Sequence, residues 1–384
     1  IEYNRYIDFD DSKGEGKYKY GYLEDLRLIF LVRQEWIGKA RNVYLFANSE
    51  PIFDRMFTET EGLSGHLDPE EGAYGGNHRK DFDPVTTETY LKAIKDVTFT
   101  NEELQKFVTK GEDSSPANGI PMSAEYRDVE FKPGNTGIAN ISVFNSYIVR
   151  AANKITFTYI NDRLMGDIAV KNWQLQYTAD KSWLLPHVPA EKNSSLFGTG
   201  TDYDNWIAWY AKHIGSGGHE EELEFDTPEG VVMSPFSDDY EAEATVRRTT
   251  SDNTTTETVK GLRVPQRGLT DREPTPAKDS ITYYFLESRY IPEGADAQRY
   301  TMRFNTLEYQ NTPTTDESGE HYWQPSSYPA GAAEAYHLDQ VKTLLRNTHV
   351  IITATFADKG QLDLEVSIKN WHVDAPVEGQ LKPE

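Results

Sequence analysis

Ala169-Val170-Lys171-Asn172-Trp173 recurs near the end of the chain as Ser367-Ile368-Lys369-Asn370-Trp371. An arginine and a β-forming run precede each copy. Arg150 leads into Lys154-Ile155-Thr156-Phe157-Thr158-Tyr159, and Arg346 into Val350-Ile351-Ile352-Thr353-Ala354-Thr355-Phe356. The arginines are 196 residues apart (346 − 150) and the tryptophans 198 (371 − 173), a difference that one turn absorbs. An apolar run, a short turn and a second alternating run spell a β-hairpin. One such hairpin at mid-chain and one at the end imply two similarly built domains in tandem, each closed by the same hairpin. The boundary falls shortly after Trp173, which divides the chain into 1–179 and 180–384.

At 384 residues, each half is long enough to bury its own core. Asp and Glu number 62 against 39 Lys and Arg, a net charge of −23. Such a surface repels phosphate backbones and anionic lipid, so no nucleic-acid partner is expected. The chain has no cysteine, which excludes disulfides, thiolate metal sites and thiol nucleophiles. It also speaks against a small secreted eukaryotic domain, while a bacterial envelope protein fits. No apolar stretch approaches membrane-spanning length. The chain starts at Ile1 without a methionine or a signal-like apolar region, which predicts a mature chain whose targeting segment has been removed.

Strand signals dominate. Leu26 to Val32, Val43 to Ala47, Val129 to Phe131, Ile141 to Val149, Ile281 to Leu286 and Thr301 to Phe304 read as strands. Residues 62–83 read as a long loop, 249–258 as a solvated loop or hairpin tip, and 325–333 as an irregular lead into the last hairpin. One helix is expected, where the capping box Thr100-Asn101-Glu102-Glu103 precedes Leu104, Phe107 and Val108. Many short strands with little helix predict an all-β protein of β-sandwich type.

Several stretches, in this order, resemble the fimbrillins of Bacteroidetes, the type V pilins that include FimA-like and Mfa-like subunits. They are Gly119-Ile120-Pro121-Met122-Ser123; Arg150-Ala151-Ala152-Asn153-Lys154-Ile155, with Asn153 where alanine is commoner; and Leu345-Arg346-Asn347-Thr348, followed by a strand and Ile368-Lys369-Asn370-Trp371. Val43-Tyr44-Leu45-Phe46, Ser182-Trp183-Leu184-Leu185-Pro186 and Tyr283-Tyr284-Phe285-Leu286-Glu287 add to it, although Ser288 departs from the pattern. The resemblance implies two tandem transthyretin-like Greek-key β-sandwiches. It implies export as a lipoprotein precursor to the outer membrane and assembly into a surface pilus that supports adhesion or biofilm formation. The implied partners are other pilin subunits, in a homopolymer or as tip and anchor subunits, and an arginine-specific protease. That protease would remove the first strand and open a groove for a neighbour's donor strand. A host or bacterial surface ligand is a further implied partner.

The segment after Trp371 suits a donor strand over 372–382. Val373, Ala375, Val377, Gly379 and Leu381 fall on one face and polar residues with Pro376 on the other. About ten residues at roughly 3.3 Å each span about 30 Å, enough to line one groove by β-augmentation. Pro376 withholds one ladder bond, and the other reading is a frayed polar tail. Arg5, Arg27 and Arg33 are the candidate processing sites, each otherwise an ordinary solvated arginine. Whether residues 1–11 belong to the removable strand stays open.

Signals for chemistry are incomplete. His219-Glu220-Glu221-Glu222 lacks a second histidine at helical spacing, and Asp202-Tyr203-Asp204-Asn205 lacks the glycine and glutamate of a calcium loop. No nucleophile elbow, phosphate loop or dinucleotide fingerprint is present. No cofactor, metal or enzymatic activity is therefore expected. Trp206, Trp209 and Tyr210 form the candidate ligand platform, able to stack on sugar rings, with core packing as the alternative. They would matter most if the protein is instead a monomeric or tip-located surface adhesin. Trp173 and Trp371 read as structural.

Overall fold

The computed structural model describes residues 21–24, 27–30, 36–63, 84–108, 119–130, 148–163, 166–188, 193–197, 223–226, 228, 231–232, 243–249, 254–265, 281–289, 300–309, 323–331, 336–341 and 343–370. Most of them lie in β-strands arranged in several sheets, so the all-β class holds.

The described residues begin with a two-stranded antiparallel ladder, β1 (Gly21–Glu24) against β2 (Arg27–Phe30). Strand β3 (Ala40–Ala47) is apolar on both faces because both are used. Val43 and Leu45 pack on one cluster, Tyr44 and Phe46 on another. Helix α1 (Glu50–Glu59) opens with Pro51 in its first turn, where a missing N–H is harmless, and buries Ile52, Phe53, Met56 and Phe57. Helix α2 (Pro84–Asp96) also opens on a proline and buries Tyr90 and Ile94. Neither helix was expected, since the loop reading covered the approach to α2 and hid its periodicity.

After β4 (Thr98–Thr100), helix α3 (Asn101–Val108) forms where the capping box placed it. The Glu103 amide donates to Thr100 Oγ1 at 3.2 Å, and the Thr100 amide to Glu103 Oε2 at 2.7 Å. Glu103 Oε1 also accepts from Arg55 Nε at 2.8 Å, which ties α1 to α3. Strand β5 (Met122–Glu130) then pairs on one side with β3 and at its start with β6 (Val149–Arg150).

The sandwich has two sheets. One runs β15 (Ile281–Leu286), β7 (Ala152–Asn161), β21 (Thr348–Phe356), β22 (Leu362–Asn370). The other runs β14 (Leu262–Val264), β8 (Ile168–Gln176), β17 (Thr301–Tyr309), β18 (Trp323–Tyr328), with β19 (Tyr336–His337) also on β17. Smaller ladders join β9 (Thr178–Ala179) to β11 (Val231–Val232), β10 (Lys181–Trp183) to β4, and β16 (Ser288–Arg289) to β20 (Thr343–Leu344). Strands β12 (Glu243–Thr249) and β13 (Thr254–Lys260) pair antiparallel, so 254–258, read as part of a loop or hairpin tip, belong to a strand. A short helix, α4, covers Ser194–Phe197.

The second repeat copy is the expected hairpin, β21 against β22 from Thr348↔Asn370 to Phe356↔Leu362. The first copy is not a hairpin. Strands β7 and β8 lie in opposite sheets, because both edges of β7 are already taken by β15 and β21. The chain crosses from one sheet to the other between Asn161 and Ile168. There the buried Asn161 donates to the Gly166 and Val264 carbonyls at 3.0 and 3.2 Å. The two repeat strands run side by side in parallel, from His349↔Lys154 to Phe356↔Asn161. Residues from both sides of the division expected at 179/180 therefore share each sheet.

Ile155, Phe157, Ile168, Val170, Phe304, Ile352 and Phe356 fill the space between the sheets. Edge-to-face rings order it, with Phe304 at 87° to Phe157 and 89° to Tyr159. Trp173 belongs to this core at 4 % exposure, in line with its structural reading. Of the segment read as an irregular lead-in, 325–328 belong to strand β18, while 329–331 lie outside any strand. Pro325 is tolerated because β18 ends its sheet.

Candidate functional site

Three apolar clusters approach one another where the N-terminal layer meets the sandwich, and Arg346 lies at that seam with no exposed surface. A buried guanidinium is tolerable only if its charge and its five N–H groups all find partners. Here they do. Nε donates to Glu287 Oε2 at 2.8 Å, and Nη2 lies 2.7 Å from the same oxygen while donating to the Trp183 carbonyl at 2.8 Å. Nη1 donates to the Leu184 carbonyl at 2.9 Å and to Ser123 Oγ at 3.4 Å. The Arg346 backbone amide donates to Glu287 Oε1 at 3.2 Å, so both carboxylate oxygens are used. Ser123 Oγ in turn donates to the Leu184 carbonyl.

Local sequence delivers each partner. Gly119 adopts φ +67°, and an added Cβ would stand 2.7 Å from Asn48 Nδ2. That same amide donates to the Ile120 carbonyl at 3.1 Å and fixes the entry into β5, which places Ser123. Strand β10, held by β4, presents the Trp183 and Leu184 carbonyls. The Trp183 ring stacks on His187 at 4.2 Å. Glu287 follows β15 directly. Asn347, at φ 55°, turns the chain into β21, and its amide donates to the Ala152 carbonyl at 2.8 Å. Its side-chain oxygen accepts from Arg150 Nη1 at 3.1 Å. Burial pushes the Arg150 guanidinium below its ordinary value and the Tyr284 hydroxyl above its own, and their nearness partly offsets both shifts.

All three guanidinium nitrogens of Arg346 are engaged within the arrangement, which suits it to holding the surrounding segments together. Among the described residues, no group of three or more His, Asp or Glu could hold a metal.

Strand edges are the other places where such a protein can act. The outer side of β15 meets α3, whose Gln105 Nε2 donates to the Tyr284 carbonyl at 3.1 Å. β18 carries Pro325. β22 ends its sheet with Leu364 turned inward and Asp363, Glu365, Ser367 and Lys369 exposed, a charged edge. It finishes at Asn370, opposite Thr348 and therefore close to the clasp.

Of the sequence candidates, Arg27 is the first residue of β2, opposite Glu24. Arg5, Arg33, Trp206, Trp209, Tyr210 and the donor-strand residues Val373, Ala375, Val377, Gly379 and Leu381 lie outside the described residues. Glu287 was visible only as the end of a strand motif, and its pairing with Arg346 had no signal in the sequence.

No family model matches the chain, and no curated protein matches it. It is similar to solved structures of the tip fimbrial protein Mfa3 from Porphyromonas gingivalis, with a C-terminal truncation, and of a fimbrial protein from Bacteroides vulgatus. Identity to Mfa3 is 11 %, with 76 % of this chain and 77 % of that chain covered and a TM-score of 0.33. For the second the figures are 10 %, 70 %, 72 % and 0.34.

Proposed function

We propose that the protein is a subunit of a bacterial surface fimbria, with a structural and adhesive role, exported as a lipoprotein precursor and polymerised by donor-strand exchange. One observation carries the reading. Five of the seven stretches through which the sequence resembles fimbrillins, 119–123, 150–155, 182–186, 283–287 and 345–348, are scattered along the chain yet meet at or beside the Arg346 clasp. A resemblance confined to unrelated surface loops would carry less weight. β22 adds to it by ending at the seam, so the candidate donor segment 372–382 continues from there. In this reading an arginine-specific protease cuts at Arg5, Arg27 or Arg33, and Val373, Ala375, Val377, Gly379 and Leu381 of one subunit enter the groove of the next. Full insertion buries a strand and removes an edge, which makes dissociation slow.

The test is unheated gel electrophoresis after limited digestion with an arginine-specific protease, beside a version ending at Trp371. A ladder of heat-sensitive oligomers from the full chain alone is expected. Monomers from both, with the digested core still folded, would sink self-polymerisation and favour a tip-located or monomeric adhesin.

A further inference from the structure

We infer that the Arg346 clasp fixes the orientation of the N-terminal layer on the sandwich, and that this, rather than net stability, is what it contributes. The apolar contact beneath it is poorly suited to that task. Ala151, Ala152 and Ala179 contribute small side chains to one cluster at the seam and Ala124 to the other, and apolar burial has no directional preference. Small residues at such a contact permit sliding with little loss of buried area. The guanidinium is different. It is planar, its donors point in fixed directions, and its acceptors come from three separate chain segments.

Ser123, Trp183 and Leu184 belong to the N-terminal layer through β5 and β10, while Glu287 and Arg346 belong to the sandwich. A small rotation of one body on the other would lengthen several of these bonds together and leave a buried charge short of partners. Replacing a buried ion pair by packed apolar groups is commonly neutral for stability, and a directional role is the best-attested use of such pairs. The inference stands whether or not the protein is a fimbrial subunit.

The absence of cysteine makes the measurement clean, because any introduced pair is unique. Nitroxide labels at Glu130→Cys on β5 and Glu365→Cys on β22, both exposed positions, report the distance between the two bodies by pulsed electron resonance. The parent should give one narrow distribution. The paired change Arg346→Met with Glu287→Met should give a distribution about twofold broader in the folded protein. Glu287→Gln keeps the shape but not the charge; it carries the same test if the paired variant does not fold, and should broaden the distribution less. A distribution unchanged in position and width in a folded variant overturns the inference, since apolar packing alone would then set the orientation.

Discussion

Arg150 donates to Asn347 Oδ1 at 3.1 Å, so the arginine of the first repeat copy holds the residue that follows the arginine of the second. The two repeat arginines thus share one seam, one at its partly exposed margin and the other fully buried. Equivalent positions in the two copies have different duties, and their substitution should have different consequences.

Arg346→Met leaves the Glu287 carboxylate buried without its counter-charge. A loss of about 3–5 kcal/mol is expected from urea or thermal denaturation, and adding Glu287→Met should recover most of it. Arg150→Met, at a half-buried site, should cost no more than about 1.5 kcal/mol. Equal losses at the two positions would contradict the asymmetry.

Asn153 is buried in β7, where its Nδ2 makes one long bond of 3.4 Å to the Leu286 carbonyl and its Oδ1 has no partner. An unsatisfied buried acceptor is costly, so Asn153→Ala should be neutral or stabilising by up to about 1 kcal/mol. A loss above about 2 kcal/mol would show that a bound water satisfies that oxygen.

Gly119→Ala places a side chain at a left-handed position and drives its Cβ toward the Asn48 amide. The expected loss is about 1–2 kcal/mol from backbone strain alone. Asn48→Ala should lose less, and the double variant should cost less than the sum because the clash disappears. Full additivity would sever the link between the two residues.

Alkali should unfold the protein early. Burial holds the hydroxyls of Tyr90 and Tyr300 well above their ordinary value, and burial together with Glu125 pushes Tyr44 up to about 12. These groups are neutral in the fold but ionise near pH 10 once exposed. Their stabilising contribution is therefore complete below about pH 10 and is lost as the pH rises through the higher folded values. Absorbance of tyrosinate and circular dichroism should change together in one step. A gradual tyrosine titration centred near pH 10 in a still-folded protein would refute this.

Periodicity and local chemistry made part of this fold legible in advance. The α3 cap could be read because Thr100 and Glu103 satisfy each other within four residues. The strands at 152–161, 281–286 and 348–356 could be read because each carries its own apolar pattern. Pairing was less accessible. Nothing within 150–173 distinguishes a hairpin from an arch, since the outcome depends on β21 and β15 occupying the edges of β7. Helix α1 was missed although Ser49, Pro51 and the apolar residues 52, 53, 56 and 57 announce it. At the clasp, the stretches carrying Ser123, Trp183 and Leu184, Glu287, and Arg346 are each legible as motifs. Their meeting point is not, because it depends on contacts spanning up to 223 residues of sequence.

The parallel pairing of β7 with β21 has a consequence in time. Ile155 pairs with Val350, so that ladder closes a loop of 195 residues (350 − 155). Loop closure is slow when partners are remote, and ladders of this kind form late. A ribosome must have synthesised nearly the whole described chain before β7, which can meet β15 earlier, gains its second neighbour, β21. Until then that sheet lacks a central strand. Among the described residues, the last strands to be made are the ones that complete it.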